Sequence, residues 1–479
     1  MAEFSNRLEQ YIEEKHIKVS ELARFCGTDR ATTYKYINGK RLPAAMETVE
    51  KIGEFLRLSP REVKQLKEAY EMDRVGKSVY LSRKNVEEFF LHFPEMPPDE
   101  EQKHFMEEFT EKMDGEAGSH VIKDKKDLNR AICRMLLKEG EREDSRIYLQ
   151  LQPADTFLFE FLAARADSFG RSRIEHIMCM NHDTQDAKKA ADNLNNLNQI
   201  ILLHASMLNY QSYYFYDNVD SHYHNLNLLP CMVLTSTQVL FFQPDDEVGI
   251  LTDKPEAVEM MRRRFEKNRD ACNPFLHAIT NGFLEYETLS KIIYQIDCHS
   301  IQADPCVMPY LSPDMVKNYV SDPVLRQGLE GVLISYGEAW SLKSRKDARV
   351  YMTTAGLKYF MDTGLNLEIP VFTGVLFTKE DRLMILKKTV REPRCYNYIL
   401  KEPLGSLPLN MHWYVTKEAG VLLFYNKKRE QVYLILREPS LLHMFTDYVE
   451  SMDENHYYSL EESQKILEDV LKKYEEAWA

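Results

Sequence analysis

Val19-Ser20-Glu21-Leu22-Ala23-Arg24-Phe25-Cys26-Gly27-Thr28-Asp29-Arg30-Ala31-Thr32-Thr33-Tyr34-Lys35-Tyr36-Ile37-Asn38-Gly39 is the stretch that decides how this chain begins to fold. Val19–Cys26 has helical spacing, with Leu22, Ala23 and Phe25 or Cys26 able to face inward. Gly27 stands where the helix must stop and the backbone must turn with φ > 0. Asp29 then has the chemistry of an N-cap for a helix over Arg30–Ile37, which Asn38-Gly39 terminates. The stretch therefore predicts two short helices joined by a glycine turn.

Working outward, Phe4, Leu8, Tyr11 and Ile12 mark a preceding helix that ends near Lys15-His16. Pro43 opens a fourth segment over Ala44–Leu56, and Ser59 caps a fifth whose first turn accepts Pro60. This five-helix module, Phe4–Tyr70, resembles the Cro/repressor-type helix-turn-helix (XRE) family. The resemblance is carried by Leu22-Ala23, Gly27, Tyr36, Gly39, Pro43 and the connection Leu56-Arg57-Leu58-Ser59-Pro60. One departure is Lys18-Val19, where the family often has a Ser/Thr cap followed by Gln that grips a phosphate.

The resemblance implies a third helix entering the DNA major groove, with Arg30, Ala31, Thr32, Tyr34 and Lys35 toward base edges. Arg30 could take a guanine through O6/N7, and the methyl of Ala31 or Thr32 could meet a thymine. Lys35, Asn38, Lys40 and Arg41 would hold phosphates, with Lys18 supplying the charge at the second helix. Tyr36 is expected in the core. A homodimer is implied too, because one such module spans only a half-site.

The chain is 479 residues long with a formal net charge of −14. Residues 1–77 hold 15 Lys+Arg and 13 Asp+Glu, so a module of +2 precedes a body of −16. The acidic body should repel DNA and leave contact to the module. No apolar run approaches the roughly 20 residues of a membrane span, and no signal peptide is evident at Met1-Ala2-Glu3-Phe4. The 8 Cys form no C-x-x-C pair, which reads as reduced thiols in a cytoplasm.

The rest of the chain predicts an α/β (α+β) body with an internal duplication. Val239–Gln243 resembles Val421–Tyr425, and Ile250–Pro255 resembles Leu434–Pro439. An amphipathic helix follows each, over Glu256–Phe265 and Ser440–Val449. Upstream, Ile174–Met180 and Ser212–Tyr216 find counterparts in Val350–Thr354 and Tyr396–Leu400. The expected organisation is multidomain: 1–75 helix-turn-helix, 76–144 helical linker, 145–285 and 286–455 the repeats, and 456–479 a terminal helix. Within the linker, Asn85–His92 and Asp99–Met113 look helical.

Such a duplicated unit resembles the phospholipase D-like fold, whose enzymes carry His-x-Lys in each half. Here the motif occurs only as His16-Ile17-Lys18, inside the first module. That resemblance therefore implies a body without catalytic equipment, used for sensing or assembly. His222-Tyr223-His224 with Asp217 and Asp220 could supply metal ligands but reads better as a polar loop. Cys298-His299 and Cys306 read better as buried small side chains than as a nucleophile pair. No catalytic residue, metal or cofactor is expected. An aromatic-lined pocket between the repeats would suit an effector, small molecule or protein.

The reading is a cytoplasmic, non-enzymatic, sequence-specific transcriptional regulator, with operator DNA as partner and a C-terminal sensing and dimerising body. The alternatives are an enzyme acting on a nucleotide or phosphodiester with an accessory DNA-binding domain, and an antitoxin or defence-type interaction protein.

Overall fold

The computed structural model describes residues 2–93, 119–153, 156–182, 186–225, 227–245, 248–279, 298–312, 349–368, 376–393 and 395–479, with scattered positions between 289 and 331. The expected helix over Asp99–Met113 lies outside these residues. The chain divides into two compact units, residues 1–85 with 183–191, and 86–182 with 192–479.

The first unit contains α1 (Glu3–Glu14), α2 (Val19–Phe25), α3 (Arg30–Ile37), α4 (Met46–Phe55) and α5 (Pro60–Val75). Phe4, Leu8, Leu22, Tyr36, Ile52 and Leu66 are among the side chains that close its core. Asp73 of α5 accepts from the amides of Glu3 and Phe4 at 3.0 and 2.8 Å, tying the last helix to the start of the first. Ser59 and Glu62 form a reciprocal capping box at α5.

Each of the first four helices ends in the same way. The residue after the cap is left-handed: His16 (φ 50°), Gly27 (φ 68°), Gly39 (φ 67°) and Arg57 (φ 52°). The next residue donates its amide back into the helix: Ile17 to Ile12 at 3.0 Å, Thr28 to Ala23 at 2.9 Å, Lys40 to Lys35 at 2.9 Å and Leu58 to Gly53 at 3.0 Å. These are Schellman closures, which satisfy carbonyls that the helix end would otherwise leave bare. The glycines were legible as stops. His16 and Arg57 were not, since neither residue type announces a positive φ.

The chain leaves this unit along α6 (Lys77–Leu91), where a helix from Asn85 was expected. Two mixed sheets form the second unit. The first uses β1 (His120–Ile122), β2 (Arg146–Gln150), β3 (Arg173–Met180), β4 (Asn209–Tyr216), β5 (Cys231–Leu234), β6 (Val239–Gln243), β7 (Val248–Thr252) and β8 (Asn273–Pro274). The second uses β9 (Leu276–Ile279), β10 (His299–Gln302), β11 (Arg349–Met352), β12 (Tyr396–Ile399), β13 (Met411–Val415), β14 (Gly420–Tyr425) and β15 (Gln431–Leu436).

Their spatial orders are β1-β7-β6-β5-β2-β3-β4-β8 and, read in the same direction, β9-β15-β14-β13-β10-β11-β12. Apart from the added β8, strand for strand, these are one topology. The senses agree too: β2–β3–β4 and β10–β11–β12 run parallel, and the remaining shared neighbours antiparallel. All the strand matches found by self-comparison fall on equivalent positions, as do the helices α10 (Pro255–Arg269) and α13 (Pro439–Ser451) that follow β7 and β15.

The sheets draw the repeats differently from the sequence in one respect. β1 and the helix α7 (Lys125–Gly140), expected as linker, belong with the first sheet, and β9, expected in repeat one, pairs with β15 of the second. Strands of three or four residues such as His120-Val121-Ile122 carry too little periodicity to be recognised without their partners.

Helices α8 (Thr156–Ala164) and α9 (Ala187–Ala205) belong to the first repeat, α11 (Thr354–Thr363) and α12 (Lys379–Arg391) to the second. The terminal helix α14 (Leu460–Trp478) lays Leu467, Val470 and Leu471 into the core beside α11 and α12. At the joint between repeats, Glu438 caps α13 through the amides of Ser440 and Leu441 and also accepts from the Tyr216 hydroxyl at the end of β4. Asn193 of α9 donates to Ser440 at 3.2 Å.

Replacing Arg57→Gly relieves a left-handed arginine and should stabilise the first unit by about 1 kcal/mol, read by chemical denaturation of its helical signal. His176 is fully buried between Tyr210 and the Leu151 carbonyl, and burial pulls its pKa down to about 4. Above its unfolded value near 6.5 this contribution is complete, and it is lost as the pH falls toward about 4. All three Trp lie in the second unit, so their fluorescence reports its unfolding. His176→Gln should make stability less steep in that acid range by about 1.4 kcal/mol per pH unit.

Candidate nucleic-acid interface

The third helix is built to be presented. Asp29 caps it, accepting from the Thr32 amide at 2.8 Å and the Thr32 hydroxyl at 2.7 Å. Those two bonds hold the Asp29 carboxyl below its usual pKa, so the cap is charged and complements the helix N-terminus. Thr33 turns inward and shares a hydrogen bond with Thr28 across the turn at 2.9 Å. Tyr36 and Ile37 anchor the inner face, as expected for Tyr36.

The opposite face is open. Arg30, Ala31, Tyr34, Lys35, Asn38, Lys40 and Arg41 are all exposed, whereas Thr32 is half-buried. Arg30 lies over the Tyr34 ring at 5.5 Å and reaches its hydroxyl at 3.5 Å, so the two side chains form one flat surface. Thr32, whose methyl was the expected base contact, spends its hydroxyl on the Asp29 cap.

From Arg30 to Met46 the sequence contains four cations and no carboxylate. Lys35, Lys40 and Arg41 have no ion-pair partner among the described residues. Elsewhere in the unit, Lys15, Lys51, Lys67 and Lys77 are matched to Glu62, Glu47, Glu50 and Glu3. Lys18 sits at the start of α2 as expected, but it lies 3.5 Å from Glu21. Such an exposed pair is weak and would yield readily to a phosphate. The third helix and the turn after it thus carry positive charge with no carboxylate between Arg30 and Met46.

This segment is similar to a known family. Residues 7–67 match the Cro/C1-type helix-turn-helix DNA-binding domain. No curated protein matches the chain. Among solved structures, TrmBL2, an archaeal chromatin protein with a novel mode of DNA binding, aligns at TM-score 0.24 and 13% identity, over 56% of this chain and 98% of its own. A polyphosphate kinase from Porphyromonas gingivalis aligns at TM-score 0.22 and 12% identity, over 75% of this chain and 53% of its own. A phosphatidylserine synthase from Haemophilus influenzae aligns at 0.21 and 9%, over 82% of this chain and 97% of its own.

The body's candidate chemistry is laid out differently. His222 and His224 fall on a π-helical turn, with His224 on Asp245 at 2.7 Å and His222 3.6 Å from Asp217. Among the described residues no group of three potential ligands converges on a metal position. Cys298 and Cys306 are both buried. No helix of the described residues is long and apolar enough to cross a membrane.

Sequence reasoning missed a buried cluster in the second repeat: Asp304, Glu368, His412 and Tyr414. His412 on β13 bonds Asp304 through Nε2, and Tyr414 donates to Glu368 at 3.1 Å. Glu368 also accepts the amides of Val307 and Met308 at 2.8 and 3.2 Å, and Asp304 that of Leu367 at 2.9 Å. Burial opposes a charge on His412, but Asp304 and then Glu368 outweigh it and raise its pKa. Burial raises Glu368 as well. The cluster fastens the loops after β10 and α11 to β13, closed from water. Its members lie too far apart in sequence to be read as a unit.

His412→Ala removes one partner of a buried pair and should destabilise the second unit by about 3–5 kcal/mol, read by its Trp fluorescence in urea. A loss below about 1 kcal/mol would show that the cluster does not hold these loops.

Proposed function

We propose that this protein is a sequence-specific transcriptional regulator that reads operator DNA with the third helix and uses its duplicated body to dimerise and to sense an effector. The observation that carries the reading is the acid-free run Arg30–Met46 on the exposed side of a capped, anchored helix within a Cro/C1-type domain. Arg30 reads a base edge, flanked by Tyr34, while Lys35, Asn38, Lys40 and Arg41 hold backbone phosphates. Four cations with no carboxylate among them in the sequence support this face as a site for a polyanion. We read the body as non-catalytic: its cluster of carboxylates, imidazole and phenol is internally satisfied and closed to substrate. Dimerisation is part of the proposal on grounds of symmetry: two heads about 34 Å apart would meet successive major-groove faces.

A gel shift on DNA upstream of the protein's own operon tests it. Arg30→Ala should weaken binding about ten-fold or more and relax one base preference. Lys40→Ala should weaken binding evenly across sequences and reduce the salt slope by about 1. Binding unchanged in both variants, with both folded, excludes this face.

A further inference from the structure

The duplicated unit carries one groove twice, and among the described residues one copy is filled and the other open. In the second repeat, α6 lies beside α13 on one face of the sheet. Phe89 meets Trp413 and Phe445 with ring centroids 5.9 and 5.2 Å apart, and Phe90 meets Phe445 and Tyr448, both at 5.8 Å. Phe93, just past the helix, meets Phe424 at 5.7 Å. Glu87 accepts from the Tyr448 hydroxyl at 3.4 Å. On this side of the repeat Leu434 and Met444 are 1% and 3% exposed.

The first repeat leaves the same positions bare. Met232, Phe241, Ile250 and Val121 stand opposite one another across β5, β6, β7 and β1, on the face where α10 sets Val258 and Phe265. The helix covers only the inner part of this row: Phe241 is half-buried, but Ile250 is 45% and Val121 63% exposed. Ile250 and Met260 are the matches of Leu434 and Met444 in the self-comparison of the repeats, and Met260 is 62% exposed. In the place of Tyr448 stands Arg264, also exposed. Single exposed apolar side chains are ordinary. A set of them whose counterparts are buried in the sister repeat marks a contact surface.

The chain carries a second stretch with the docking chemistry of α6. Val86-Glu87-Glu88-Phe89 recurs 20 residues later as Met106-Glu107-Glu108-Phe109, and Met113 holds the place of Phe93. This stretch, outside the described residues, ends 7 residues before His120, where β1 begins. Seven residues reach up to about 23 Å, enough to bring it to the groove that β1 borders. The charges are complementary as well. Asp99–Met113 holds 6 Asp+Glu and 2 Lys, whereas Arg262–Lys267 of α10 holds 4 cations and 1 carboxylate. Glu259 engages Arg262 and Arg263, while Arg264 and Lys267 stay exposed. Carried over to the first repeat, the contact of Glu87 with Tyr448 becomes one of Glu107 with Arg264.

We propose that the open groove of the first repeat is the docking site for this chain's own segment Phe105–Met113, with Met106 and Phe109 over Val121, Ile250 and Met260, and Glu107 on Arg264. The inference is independent of the DNA-binding reading. One mode of attachment is then used twice, once on each repeat, by two neighbouring stretches of the polypeptide that leads from the helix-turn-helix into the body.

Hydrogen exchange of the full chain, read by mass spectrometry on peptides covering 105–113, tests the proposal. In the wild type these amides should be protected about ten-fold or more over the unstructured rate. Ile250→Asp in the groove and Phe109→Ala in the segment should each remove that protection. Arg264→Glu should lower it about five-fold, and adding Glu107→Arg to the same chain should restore it. Protection of residues 86–91 should stay at the wild-type level in every variant, which shows that the body remains folded. A photoreactive benzoylphenylalanine in place of Met106 should cross-link to β7 or α10 of the same chain in a mixture of isotopically light and heavy protein. Absence of protection in the wild type, protection that survives Ile250→Asp with the body folded, or failure of the charge exchange to restore it overturns the proposal. Cross-links between light and heavy chains overturn the in-chain occupant and assign the groove to a second copy.

Discussion

A left-handed residue after each of the first four helices is the constraint on which the first unit depends. With helices of 7 to 12 residues, intrahelical hydrogen bonding cannot hold the unit by itself. The Schellman closures satisfy the last carbonyls and send the chain sharply into the next helix, so Phe4, Leu22, Tyr36, Ile52 and Leu66 can converge. At Gly27 the turn also aims α3. A Cβ there would meet no neighbour, so the requirement is conformational: only the positive φ matters. Because the inner face of α3 is fixed by Thr33, Tyr36 and Ile37, its outer face is fixed as well.

The second unit is governed by a different rule. β2 and β10 each pair parallel on one side and antiparallel on the other, so both repeats change sense at the equivalent strand, and the first sheet does so again at β4, which is antiparallel to the added β8. Parallel pairs need crossovers, which supply helices such as α8, α9, α11 and α12, while the antiparallel side closes by short turns. Burial on both faces makes these strands almost continuously apolar, as in Gly420–Tyr425. That is why the duplication survived as visible similarity: strands with both faces covered tolerate little but apolar exchange. At the place where the sheet changes sense in the second repeat, Asp304, Glu368, His412 and Tyr414 fill the interior with a satisfied polar network. The position equivalent to His412 in the first repeat, through the shared strand pairing, is Met232, so the network belongs to one copy only.

Legibility followed the range of the interaction. Asp29, Gly27, Gly39, Ser59 and Pro60 act on neighbours within a few residues, and each was readable as cap, stop or first turn. His16 and Arg57 perform the same role as the glycines, but tertiary packing imposes their conformation, so no residue signal exists. The edge strands β1 and β9 escaped notice because their few apolar residues mean nothing without β7 and β15 beside them.

The sequence by itself determined the helix-turn-helix module, the concentration of cations after Asp29 and the order of the repeated strands, because these are written in local spacing and in composition. Only the tertiary structure decided which distant polar groups meet. Asp304 finds His412 across 108 residues, and Tyr216 of the first repeat finds Glu438 of the second. Such meetings depend on how the sheets fold back on themselves, which periodicity cannot encode, and they determine where the body is sealed and where it stays open.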